Sequence, residues 1–276
     1  MEEGSEPTSQ PRQHRRLMVK VTMDVITLHV LLVVCFAVFV RSAFGFGEGL
    51  IAVPLLAFSI PIEIAAPLVA LLSITVAAIV VLQDWRKIHV RSTGWLLAPT
   101  FLGIPLGIAL LTCAHQQLVK AALAIVIVAF SAYCLLGKRP PELRTDSRAW
   151  LLACGFVAGL LGGAYGMNGP PLVIYGAMRR WSPQHFRATL QGYFLPASVA
   201  TMAGYWFAGL WVPAVTHYYA ISLCVALPSV FLGRVANHRI RGDAFPNIFM
   251  ADCCALECFC WSKQSVKDKH RPTRTT

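Results

Sequence analysis

Charge is scarce in this chain. Of 276 residues only 13% are charged, and the acidic ones are the rarer kind, 13 Asp plus Glu against 24 Lys plus Arg. A soluble domain is closer to one quarter charged and less than half apolar. Here 56% of residues are hydrophobic, and mean hydropathy is +0.60. That balance excludes an ordinary cytosolic enzyme, a disordered tail and a solvated nucleic-acid-binding domain. Between Asp146 and Asp243 there is no acidic residue at all. No Walker lysine motif is present, which argues against ATP-driven transport by this chain alone. No nucleophile–base pair or metal-ligand spacing stands out, so the sequence carries no catalytic residue, metal site or cofactor, and an enzyme is not expected. Cys253, Cys254, Cys258 and Cys260 crowd together, but not in a zinc pattern.

The sequence is rich in long apolar runs separated by short basic stretches. The runs are 25–40, 64–82, 95–111, 118–136, 150–161, 190–210 and 218–232. Several approach the ~20 residues needed to cross ~30 Å of hydrocarbon. In lipid only helices satisfy their own backbone over such stretches, so the sequence predicts an all-α polytopic membrane protein of seven or eight transmembrane helices. The basic clusters are Arg12, Arg15, Arg16 and Lys20; Arg86, Lys87 and Arg91; Lys138, Arg139, Arg144 and Arg148; and a tail from Lys263 to Arg274. Short basic loops flanking apolar spans are the positive-inside signature, which assigns the net charge of +11 to topology and the lipid bilayer. No nucleic-acid partner is expected. The loops at 83–94 and 138–148, the N-terminus and the tail all favour the cytoplasmic face. The cluster Arg234 to Arg241 favours it too, which alternate crossings accommodate only where a broken segment counts as a full crossing.

Two apolar stretches, 44–61 and 162–178, are broken by Gly and Pro. Irregular backbone at membrane depth persists only where protein buries it or where it lines a wet cavity. The two stretches align: FVRSAFGFGEGLIAVPLL lies on FVAGLLGGAYGMNGPPLV, setting Gly45 on Gly162, Gly49 on Gly166 and Pro54 on Pro171. With a small gap Pro61 matches Pro183, and Gly103-x3-Gly107 has an echo in Ser229-x3-Gly233. Together these indicate an internal duplication of about 117 residues. The expected organisation is a polar basic segment over 1–22, a first transmembrane repeat over 23–137 and a basic linker over 138–148. A second repeat over 149–242 and an atypical Cys-rich segment with a basic tail over 243–276 complete it. Matched Gly/Pro-interrupted segments in two repeats point to the substrate site of a secondary transporter.

The segments GFGEGLIAVPLL and GAYGMNGPPLV resemble the two signature motifs of the TauE/SafE sulfite exporter family, also called TSUP, and the resemblance covers about residues 25–242. It implies a multi-pass permease of the bacterial inner membrane for sulfite, an organosulfonate or a related small anion. Two features depart from the family pattern. Glu48 stands where the family often has glycine, and residues 245–261 do not read as a smooth final helix.

An anion in a low-dielectric core needs cationic or N–H partners. The expected substrate-binding residues are Gly45, Gly47, Gly49 and Pro54 in the first half, with Gly162, Gly163, Gly166, Asn168, Gly169 and Pro171 in the second. The glycines would offer backbone N–H groups at half-helix N-termini. Arg187 is the leading cation, with Gln191 near it, because a guanidinium can hold a sulfonate-like oxyanion bidentately. Tyr165 is a further neutral donor. Arg41 and Glu48 flank the first break; they are either a structural pair or the groups that couple transport to protons. The rival class is a membrane-embedded assembly or interaction protein without transport activity. Oligomeric state is not encoded in any pattern found.

Overall fold

A computed structural model of the chain describes the backbone of residues 10–84, 90–135, 148–179 and 183–239, and side chains within 24–82, 94–133, 148–179 and 189–237. Among the described residues the protein is all-helical. In chain order the helices are α1 (Gln10–Phe44), α2 (Glu48–Leu56), α3 (Ile62–Asp84), α4 (Val90–Cys113), α5 (Gln116–Leu135), α6 (Arg148–Tyr165), α7 (Gly169–Met178), α8 (Pro183–Phe207) and α9 (Pro213–Arg239). Segments within α1, α3, α4, α5, α6 and α9 are long and apolar enough to cross a membrane. α8 has a comparable 25 residues but is more polar, and its Thr189, Gln191, Ser198 and Thr201 are all buried. Those hydroxyls and the amide face protein rather than lipid. The Cys-rich segment expected over 243–276, with its four clustered cysteines, lies outside the described residues.

The short helices are half-helices that fold back. From His29 to Phe44 α1 rises about 22 Å, and a continuing α2 would carry Leu55 farther still. Instead His29 Nε2 lies 3.2 Å from the Leu55 carbonyl oxygen. α2 therefore returns alongside α1, and α3 starts from the end of the molecule at which α1 started. The link 85–89 reaches at most about 20 Å, too little to recross, so α4 runs antiparallel to α3.

Helix directions then follow from paired contacts. α1 and α9 run parallel, with Cys35 Sγ at 3.2 Å from Ser229 Oγ and Asn237 Nδ2 donating to the Ala43 carbonyl at 2.5 Å. α4 and α6 also run parallel: Thr100 Oγ1 donates to the Gly155 carbonyl at 2.9 Å, and farther along both helices Gly163 abuts Ile104 and Ile108. α8 follows α4 in the same sense, through Thr100–Tyr193 at one level and Ile108–Gly204 at the next. Thus the first helix of each repeat lies on the fourth helix of the other, and the two repeats have opposite orientation.

This arrangement resolves the charge pattern. Because α2 and α7 each return toward the end from which α1 and α6 started, the links after α3, α5 and α7 and the end of α9 all emerge at one end of the bundle. Those positions carry the clusters around Arg86, Arg139, Arg179 and Arg239. The opposite end has the uncharged links 57–61 and 208–212 and the link 114–115 with its single His115. The basic N-terminal stretch, expected with the other clusters, leads into α1 at that opposite end, because the fold-back leaves an odd number of crossings between them. In a cysteine-free background, a cysteine placed at Arg148 or Arg179 is expected to react with an impermeant maleimide from one membrane face only, and one at His115 or Gly209 from the other. Labelling of all four from a single face would overturn the topology.

The repeats also correspond with a register different from the gapless one. The left-handed Gly45 (φ 92°) that ends α1 matches the left-handed Gly166 (φ 67°) that ends α6, so Gly45 corresponds to Gly166 and not to Gly162. A gapless alignment is one helical turn short because the Gly-rich stretch of α6 continues as helix through Gly162 and Gly163 to Tyr165. The echo of Gly107 in Gly233 is retained. Gly233 abuts the Phe39 carbonyl, Ser42 and Ala43, while Gly107 abuts the Leu160 carbonyl, Gly163 and Ala164.

Candidate functional site

The two breaks meet. Gly49, in the first turn of α2, lies against Met167 of the second break: a Cβ added there would stand 2.5 Å from the Met167 Cβ and 3.2 Å from the Gly166 carbonyl oxygen. Around this junction is a small cavity of about 20 Å³, room for about one water molecule. Its walls come from the end of α1, both breaks, the starts of α2 and α7, and the middles of α3 and α8.

Each break exists because its residues cannot continue a helix. Gly45 and Gly47 both hold positive φ, 92° and 104°, a region closed to most side chains. The Gly45 N–H still caps the Arg41 carbonyl at 2.6 Å. Its own carbonyl, freed from the ladder, accepts from Gln191 Nε2 of α8 at 2.9 Å. In the second break Gly166 packs against the Ala66 carbonyl of α3. Each break is thus held by the long helix of the opposite repeat. Phe46 and Met167, both buried, anchor the two breaks in the core.

Electrically the site is dominated by Arg41 and Glu48, which are 3% and 2% exposed. Arg41 Nη1 donates to Glu48 Oε2 and, at 2.5 Å, to Ser73 Oγ of α3. Its guanidinium carbon sits 5.0 Å from the centre of the Phe194 ring, a cation–π distance. Arg41 occupies the last turn of α1 and Glu48 the first turn of α2, so each faces the helix-dipole end that favours its sign. The pair is incompletely satisfied. Arg41 Nε and Nη2, Glu48 Oε1 and Asn168 Oδ1 are buried without a hydrogen-bond partner. Ser198 Oγ donates to Ser73 Oγ at 3.1 Å, extending the polar strip onto α8.

The residues singled out in the sequence divide accordingly. Gly47, Gly49, Gly166, Asn168 and Gly169 line the cavity, as do Arg41 and Glu48. Gly45 is one residue behind the wall, in contact with Gln191. Pro54 lies in the body of α2 and Pro171 in the first turn of α7, both buried and neither lining the cavity. Gly162 and Gly163 are helical residues of α6. Gly163 forms part of the seam with α4, and the carbonyls of both accept from Tyr205 Oη, at 3.1 and 2.9 Å. The Arg187 side chain lies outside the described residues, although its backbone is in the first turns of α8.

Tyr165 is not directed at the cavity: its hydroxyl donates to the Val119 carbonyl of α5 at 2.9 Å. Tyr165→Phe is expected to cost about 1 kcal/mol of stability while leaving flux at the wild-type level; a collapse of flux with normal abundance would return this hydroxyl to the site. Ser73, Phe194 and Ser198 were not anticipated. The signal available was weak, single hydroxyls within the apolar runs of α3 and α8, and only the fold brings them to Arg41.

The α7 end of the cavity offers few backbone donors. Pro170 and Pro171 remove two of the N–H groups that a helix N-terminus normally presents. The α2 end keeps its N–H groups but carries Glu48. Among the described residues no group of three or more His, Cys, Asp or Glu side chains could hold a metal ion.

Sequence comparison agrees with this architecture. The family profile described as Sulfite exporter TauE/SafE matches residues 30–256, a range that includes both breaks and every residue named in the cavity wall. The chain belongs to that family, a family of membrane transporters. The match extends past residue 242, where the motif resemblance stops, into the Cys-rich segment. Comparison with curated proteins and with solved structures gives no significant match.

Proposed function

We propose that the chain is a secondary transporter that moves a small monovalent oxyanion, sulfite in its hydrogen form or an organosulfonate, across the bacterial inner membrane by alternating access. The observation that carries this reading is the Arg41 guanidinium, buried at the junction of two opposed half-helix hairpins with Nε and Nη2 unpartnered. Opposed broken helices at the centre of an inverted repeat are the common plan of secondary-transporter sites. A guanidinium with a free Nε–Nη2 edge presents two parallel N–H donors, the geometry a sulfonate or sulfite oxygen pair accepts. Gly47, Gly49, Gly166 and Gly169 let backbone approach the bound anion, Asn168 and the α2 N–H groups add donors, and Gln191 fixes the first break.

The test is counterflow in proteoliposomes. Purified protein preloaded with unlabelled sulfite is expected to accumulate labelled sulfite transiently, and an organosulfonate is expected to compete. Absence of counterflow with both anions, from protein shown to be folded and inserted, would favour an assembly or interaction role instead.

A further inference from the structure

The unpartnered atoms in the cavity are not all donors, and this has a consequence for what enters with the anion. Arg41 Nε and Nη2 can only donate, whereas Glu48 Oε1 and Asn168 Oδ1 are acceptors, and all four are buried without partners. An oxyanion also carries only acceptors. Placed on the guanidinium, it brings its oxygens into the cavity that the carboxylate lines, and two acceptor oxygens in a water-poor pocket repel unless a proton lies between them. The charge balance leads to the same requirement. The empty site is neutral, Arg41 positive and Glu48 negative, so a bound anion alone leaves one uncompensated negative charge among buried side chains.

The groups facing Glu48 can be named element by element. From α1 comes Arg41; from α3, Ser73; from the second break and α7, Met167, Asn168, Gly169 and Pro170; from α8, Phe194 and Ser198. α5 packs on α2 but contributes nothing to the cavity wall. Among the described lining residues only Arg41 and Glu48 are titratable, so no other described side chain there can supply or take up the balancing proton.

We propose that Glu48 makes the site an anion–proton co-binding site: each monovalent oxyanion binds together with one proton, which resides on Glu48 Oε1 and is shared with an anion oxygen. This rests on the anion-transport reading given above and adds the coupling to it. The exchange balances. The empty pair plus one anion plus one proton from water gives a guanidinium bonded to the anion and a neutral carboxyl group donating to it, with no net change in charge. Arg41 takes the anion on its free Nε–Nη2 edge, while Nη1 keeps its contacts with Ser73 and with Oε2 of the now neutral Glu48. A loaded and an empty carrier then have the same charge, so the transport step moves no net charge and responds to the pH and anion gradients but not to the membrane potential.

Binding of methanesulfonate to the purified full chain in detergent tests this, because methanesulfonate is permanently ionised and cannot bring the proton itself. Calorimetry in two buffers of different ionisation enthalpy is expected to show uptake of one proton per anion bound, and an affinity that falls about tenfold per pH unit where Glu48 is ionised in the empty protein. The E48Q variant is expected to bind methanesulfonate with no proton uptake and a flat pH profile. Binding to the wild type without proton uptake would overturn the co-binding proposal and leave the anion site standing. No binding of methanesulfonate or sulfite to the wild type at any pH would overturn the anion site as well. If E48Q does not fold, the wild-type proton count and pH slope decide the matter, and E48D is expected to retain both.

Discussion

Replacing Arg41 and Glu48 together by glutamine is expected to abolish anion counterflow while leaving a folded, inserted protein. The double change is the informative one. Truncating Arg41 alone strands the Glu48 carboxylate, 2% exposed, and breaking a buried ion pair from one side costs about 3–5 kcal/mol of stability. Loss of flux would then be confounded with loss of protein. Two amides of similar size remove both charges and keep polar contact with Ser73. The anion loses two charge-assisted hydrogen bonds worth about 1.5–3 kcal/mol each, a loss of at least about 100-fold in affinity. Arg41→Lys keeps the charge but not the planar fork, and should retain a weaker, measurable flux. Wild-type counterflow in the double variant would remove Arg41 from the mechanism.

The second large effect concerns assembly. In the seam between α4 and α6, Gly103, Gly107, Gly159 and Gly163 bring the two backbones together with no side chain between them. A Cβ on Gly163 would collide with the Ile104 carbonyl oxygen, and one on Gly159 with that of Thr100. Small residues at such spacing are what allow membrane helices to pack closely where no hydrophobic driving force exists. Gly163→Ala is expected to lower stability by about 1–3 kcal/mol, as overpacking does. Gly163→Leu should prevent the helices from seating at all. Thermal unfolding in detergent and membrane abundance read both. A Gly163→Leu protein as stable as the wild type would mean that the seam is not closed in the native protein. Gly94, where an added Cβ would meet nothing within 4 Å, is the control: Gly94→Ala should be neutral or slightly stabilising, since it lies in a helix.

The fold class, the duplication and the two break segments were legible because each has a signal in composition or spacing. Apolar runs give helices, and left-handed glycines give breaks. What the sequence could not show was direction. A Gly/Pro-broken segment reads the same whether the next helix continues across the membrane or folds back along α1, and the contact between His29 and Leu55 that decides it joins residues far apart in the chain. The basic clusters held that information indirectly, since they are hard to reconcile unless a broken segment counts as a full crossing. The site was half legible. Gly47, Gly49, Gly166, Asn168 and Gly169 stand where irregular backbone was expected. Arg41 was visible as a partner of Glu48, but its unpartnered Nε and Nη2 depend on how α3 and α8 pass behind it. Ser73 and Ser198 are ordinary hydroxyls until those two helices cross.

The reciprocal pairing of α1 with α9 and of α4 with α6 bears on how the molecule can deform. Helices joined through glycine faces, backbone on backbone, resist sliding, because any displacement drives a neighbouring side chain into a carbonyl. Each such pair contains one helix from either half of the sequence. The stiff units are therefore mixed, α1–α9 and α4–α6, and a hinge between the two halves of the chain would have to tear both. Between α3 and α8, by contrast, contacts include side chains such as Ser73 and Ser198. The closest backbone contacts thus cut across the division of the sequence into its two repeats.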